Sequence, residues 1–125
     1  MYLKGENMKQ SVTIYLPFKV STNSIYSQSE KWQQRKKHKD LMLWAFMPVH
    51  NQLKPVSKAK IRIDFEFARQ PLDCSNCSYM AKMIEDCLTY FGIIPDDSPK
   101  YITEMTIRSA KGKEDLAILT LETDE

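Results

Sequence analysis

The residues with the most chemical reach lie between Leu72 and Asp97, in the stretch "LDCSNCSYMAKMIEDCLTYFGIIPDD". Two chemistries compete there. The sulfurs of Cys74, Cys77 and Cys87 invite a zinc or redox reading, and the carboxylates of Asp73, Asp86, Asp96 and Asp97 invite a hard-cation reading. Structural zinc takes four ligands, commonly from two C-x-x-C or C/H pairs. This chain has one such pair, and His38 and His50 lack the spacing of a second. A thioredoxin-like site wants C-x-x-C after the first strand of a βαβ unit, a context absent here. Helical periodicity makes Cys77 and Cys87 small buried hydrophobes and leaves Cys74 incidental in a loop. A zinc protein built on the three cysteines stays as a rival.

Each carboxylate taken alone has an ordinary explanation. Asp73 suits a turn, Asp96 and Asp97 suit the turn "PDD", and Asp86 can pair with Lys82 at i, i+4. Taken in order they form a pattern: an acid before a helix, a lysine on its polar face, and two acids after the glycine that ends it. Asp73 and Asp97 converge only if the chain folds back over the end of that helix. Oxygen ligands of this kind suit magnesium or manganese, which take one or two carboxylates plus substrate phosphate.

The elements that must position these groups are legible from periodicity. "SVTIYLPF" alternates as a strand with Val12, Ile14 and Leu16 on one side, and "KVSTNSIY" reads as loop. Ser27 and Glu30 have capping-box spacing and open a helix that runs to about Met47, before Pro48. Its apolar face is expected to carry Trp32, Leu43, Phe46 and Met47. "AKIRIDFEFA" is a strand with Ile61, Ile63, Phe65 and Phe67 opposite Arg62, Asp64 and Glu66. A second helix spans about Cys77 to Phe91, with Cys77, Met80, Ile84, Cys87, Leu88 and Phe91 as its core stripe and Lys82, Glu85, Asp86 and Thr89 on its polar side. Gly92 closes it. "KYITEMTIRSA" and "DLAILTLET" are two strands joined at "KGKE". The expected fold is α+β: a small mixed sheet covered by two helices, in the order β-α-β-α-β-β.

Composition sets the outer bounds. At 125 residues, with 42% apolar and 27% charged residues, the chain suits one globular domain, expected over 11–125 with 1–10 as an extension. No apolar run approaches a membrane span and no secretory signal opens the chain, so a cytoplasmic location is expected. Three unpaired cysteines agree with a reducing compartment. Net charge is only +2, but Lys31, Arg35, Lys36, Lys37 and Lys39 cluster without an intervening acid. A basic surface beside an acidic pocket is the natural reading, with a solvated helix face as its bland counterpart.

In this order the residues resemble the RusA family of Holliday-junction resolvases, particularly its phage and prophage versions. That family reads roughly D-x-D-N, then K-x-x-x-D-x-L on a helix, a glycine and D-D in a turn. Here the series is Asp73-Cys-Ser75-Asn76, Lys82, Asp86-Cys-Leu88, Gly92 and Asp96-Asp97, and "LPFKVSTNSIY" is similar to the family's N-terminal strand and loop. There are departures. Ser75 stands where the second acid belongs, the gap from Asn76 to Lys82 is longer, and only Arg69 is present where some relatives carry an arginine run.

The resemblance implies a homodimeric, metal-dependent endonuclease that nicks four-way DNA junctions, using magnesium or manganese and no small-molecule cofactor or membrane. It implies Asp73 and Asp97 as metal ligands, Asp96 as an orienting group, and Lys82 as the cation that meets the scissile phosphate. Ser75 would hold a water or cap the helix, Asn76 is an equally good cap, and Asp86 or Glu66 would supply the missing charge. The basic run and Arg69 would bind flanking phosphates. The alternative is a non-catalytic binder of branched DNA with the same fold, its cutting lost with the acid that Ser75 replaces.

Overall fold

The computed structural model describes residues 8–26 and 31–124. Strands β1 (Lys9–Tyr15), β2 (Ala59–Phe67), β3 (Ile102–Lys111) and β4 (Leu116–Thr123) form one mixed sheet. Helices α1 (Thr22–Tyr26) and α2 (Lys31–Phe46) separate β1 from β2, and α3 (Ser78–Tyr90) separates β2 from β3. The chain is therefore α+β, with three α-helices among the described residues rather than the expected two. The first strand begins at Lys9, two residues ahead of the expected domain start.

The sheet order is β1-β4-β2-β3, with β2 parallel to β3 and antiparallel to β4. Alternation places Ile61, Ile63, Phe65 and Phe67 on one buried face of β2. The register continues that layer sideways: Ile63 lies opposite Leu119 on β4 and Ile107 on β3, and Leu119 lies opposite Val12 on β1. Met42 and Phe46 of α2 and Met80, Ile84, Cys87 and Leu88 of α3 join the same core cluster. Each such large side chain stabilises the fold by roughly 1.5–3 kcal/mol on burial.

Two local readings are corrected. "KVSTNSIY" is not all loop: α1 forms there, and the Ser21 hydroxyl accepts the Ser24 N–H at 3.0 Å as its N-cap. The α2 face is rotated. Met42 and Phe46 are buried with His38 one turn behind them, whereas Trp32 and Met47 are exposed. The stripe follows 38-42-46 because Phe18 and Tyr79 meet His38, stacking on and bonding its ring. The capping box at Ser27 and Glu30 lies outside the described residues, as does the side chain of Lys31.

The two last strands are joined at "KGKE" as expected. β3 and β4 are consecutive but not neighbours, because β2 lies between them and the link crosses its end. Gly112 donates its N–H to Phe67 O at 2.8 Å, and Asp115 Oδ1 accepts the Ala68 N–H at 2.9 Å. A Cβ on Gly112 would fall 2.5 Å from Glu66 Oε1, so the crossing needs glycine. At the end of α3, Gly92 takes φ +71°, and Ile93 N–H returns to Leu88 O at 2.9 Å. That left-handed residue turns the chain back along α3. Among the described residues, no helix is long and apolar enough to cross a membrane.

Cys77 and Cys87 are buried in the core and Cys74 is exposed. Burial pushes the Cys77 thiol up to about 11 and the Cys87 thiol up to about 12. Because the thiolate is the reactive form, an aryl disulfide reagent near neutral pH should modify one thiol of the native protein, Cys74. The other two should react only after denaturation. Three equal, fast reactions in native buffer would contradict this packing.

Candidate metal and phosphate site

The site is assembled around α3. Before it, Cys74–Cys77 forms a 3-10 turn entered at Asp73, whose carbonyl accepts the Asn76 N–H at 2.9 Å. Asp73 is exposed and its side chain caps nothing. Neither Ser75 nor Asn76 caps α3, because the intervening turn makes Cys77 the N-cap residue. The capping comes from elsewhere. Thr22 Oγ1, at the start of α1, accepts the Tyr79 N–H at 2.9 Å. In return Asn76 Oδ1 accepts the Asn23 N–H at 3.2 Å. Each of the two polar segments thus satisfies orphan donors of the other's helix. Separate Ser/Thr/Asn motifs in the sequence form one joint here.

At the middle of α3, the Lys82 ammonium lies among three carboxylates. It donates to Glu85 Oε1 at 2.9 Å, pairs with Asp86 Oδ1 at 3.2 Å, and bonds Asp97 Oδ2. Glu85, Asp86 and Asp97 have ligand oxygens all within 4.8 Å of one another. Three negative charges against one positive leave a net charge of −2, which is what a divalent cation would neutralise. Partial burial opposes the Lys82 charge, but hydrogen bonds to Asp97, Glu85 and Asp86 outweigh it and raise the pKa. The Asp97 carboxyl is held below its usual 3.8, chiefly by the hydrogen bond from Lys82.

The structure brings together part of the expected set. Asp97 and Asp86 belong to the carboxylate group, and Asp96 lines the same open cavity of about 290 Å³, with Lys39 at its edge. Asp73 is not in that group. Glu66 lies on the sheet face opposite the core, beside Asp64 and Arg108. Sequence reasoning misses Glu85 as a member of this group, although its i+3 spacing from Lys82 is visible there. The group holds oxygen donors and no sulfur.

The basic helix forms the other wall. Arg35 shares a cavity of about 250 Å³ with Tyr26, Tyr79 and Lys82, and Lys39 shares the next one with Asp86 and Asp97. Arg35 and Lys39 are four residues apart, hence on one side of α2. Lys36, Lys37 and Arg69 are exposed.

The ion pairs give a pH signature. Lys82 stabilises the fold in full below its usual 10.5, and that contribution fades as pH rises through its raised folded value. Asp97 contributes above 3.8 and loses its share as pH falls through its lowered value. Lys82→Met should therefore cost most between those limits. Lys82 and Asp97 are substantially exposed, so the loss should be of order 1 kcal/mol or less, shrinking toward acid as Asp97 protonates. Thermal melts of both chains across pH check this. A deficit that stays constant into strong acid would place the effect in packing instead.

Compared with known proteins, the chain matches no family model and no curated protein.

Proposed function

We propose that this chain is a divalent-metal-dependent endonuclease of the RusA resolvase type that nicks branched DNA. One observation carries the reading. A group of three carboxylates is built around Lys82, with Lys39 of α2 lining one cavity beside Asp86 and Asp97 and Arg35 of α2 lining another beside Lys82.

The donor set fits a hard cation: oxygen ligands only, graded from the largely buried Glu85 through Asp86 to the exposed Asp97. Asp97, Asp86 and Glu85 would hold magnesium or manganese, with Asp96 beside them. Asp73, expected from the resemblance, stands at the entrance to α3. When bound, the ion supplies Lewis acidity and lowers the pKa of a coordinated water. Lys82 has a separate task. With its carboxylate partners engaged by a cation, the Lys82 ammonium would be available to a phosphate oxygen on which charge develops during cleavage. Arg35 and Lys39 neutralise flanking phosphates and fix the strand's register without reading bases. Preference for junctions would come from the shape and deformability of the branch, met by two sites of a homodimer at fixed spacing.

A second reading has its own support. Lys82 fills the space among the carboxylates, and Ser75 stands where the resemblance calls for an acid. Such a protein would bind branched DNA without cutting it.

A labelled synthetic four-way junction incubated with magnesium, manganese or EDTA separates the two. The endonuclease reading expects paired nicks with either metal and none in EDTA. It also expects Asp97→Asn to abolish nicking while largely sparing junction binding, which depends on the basic wall. Binding with no product in either metal would establish the non-catalytic reading. Replacing Lys36 and Lys37 by Ala should lower the slope of log K against log salt by roughly 0.9 for each phosphate that is no longer neutralised. An unchanged slope would remove those two lysines from the interface.

A further inference from the structure

Beyond the carboxylate group, α2 and the end of α3 carry two largely exposed aromatic rings. Trp44 is 70% exposed and Tyr90 67%. They line a cavity of about 240 Å³ with Leu43, Met47 and Asp40. Tyr90 also lines the adjoining cavity, where Lys39, Asp86 and Asp97 sit. The aromatic patch and the carboxylates therefore share a wall. Tyr90 is braced from behind: its ring meets Phe91 edge-on at 5.0 Å, and Phe91 stacks on His50 at 4.3 Å. Large aromatic rings left in water beside a charged site mark a binding surface rather than a packing surplus.

We propose that Trp44 and Tyr90 stack an unpaired base next to the phosphate held at the carboxylate group. The substrate would then be DNA with an unstacked nucleotide beside the cut. This deepens the endonuclease reading and rests on it. Three features favour a nucleobase as the occupant. Flat π-faces recognise any base without needing its sequence. Lys39 lines the carboxylate cavity and attracts the backbone there, which leaves the neighbouring base over Tyr90, the residue that the two cavities share. Asp40, at the aromatic cavity, repels a phosphate or an acidic peptide but can accept hydrogen bonds from a base amino group. A base inside a duplex is already stacked on both faces, so it has to leave the stack to use this site.

The chain has two tryptophans, so Trp32→Phe leaves Trp44 as the sole indole reporter in the full-length protein. Titration in EDTA with a short thymidine oligonucleotide should quench that fluorescence saturably, and a duplex of equal length should not. Trp44→Ala and Tyr90→Ala should each weaken junction binding about tenfold, a loss typical of one stacked base. Tyr90→Phe, which keeps the ring, should bind like the parent. The loss should vanish on a junction with abasic sites at the crossover. Unchanged junction binding in both alanine variants would overturn the platform while leaving the endonuclease reading intact. No DNA binding by the parent would remove both. Conversion from dimer to monomer by Trp44→Ala, seen in sedimentation, would make the patch a contact between copies and overturn the proposal.

Discussion

The Lys82 ammonium is the constraint on which the rest of the site depends. Three carboxylates this close together repel one another and would take up protons unless a cation lay among them. Lys82 supplies that cation from within α3, two of its partners being one helical turn away and the third returning from beyond Gly92. The arrangement is held by charge in a half-exposed setting, so it contributes modestly to stability. Its significance lies in what can replace the lysine. On the proposed function, a divalent ion would satisfy the same oxygens and a phosphate would satisfy the lysine. A nucleotide–metal complex offers both at once.

The fold is organised to deliver that geometry. The β1–β4–β2–β3 sheet is apolar on one face, and α3 joins the core through Met80, Ile84 and Leu88, which leaves Lys82, Glu85 and Asp86 outside the core cluster. The Thr22 and Asn76 hydrogen bonds lock the N-terminal end of α3 to α1. At the other end Gly92 reverses the chain. Both helix ends are thus fixed by features that contribute nothing to the core, and the charged middle is left to solvent. α2 runs beside it because Phe18 and Tyr79 engage His38, and that rotation leaves Arg35 and Lys39 lining the cavities beside Lys82 and the carboxylates. Burial and the Lys37 charge lower the His38 pKa, which suits a packing role and not a phosphate contact.

Much of this is legible in the sequence where a period of two or 3.6 carries it. The alternation of Ile61 to Phe67, the stripe from Cys77 to Leu88 and the closing glycine all appear in the structure. What is not legible depends on partners distant in sequence. Periodicity cannot rotate α2, because its exposed face holds Trp32, Trp44 and Met47, residues as apolar as the buried Met42 and Phe46. Nor can it show that β2 separates β3 from β4, since a short link between two strands also suits a hairpin. Asn76 is a good cap by type, yet it serves the start of α1, 53 positions earlier in the chain. Glu85 reads as ordinary polar surface because only the return of Asp97 makes it part of a group.

The central claim is that these carboxylates are a divalent-ion site, and a crystal soaked in manganese tests it most directly. The account predicts one anomalous peak within bonding distance of Asp97, Asp86 and Glu85, with the Lys82 ammonium displaced from its present position. A peak on the cysteines, a peak at Asp73 remote from Asp97, or a Lys82 that stays among the carboxylates with no ion beside it would contradict it.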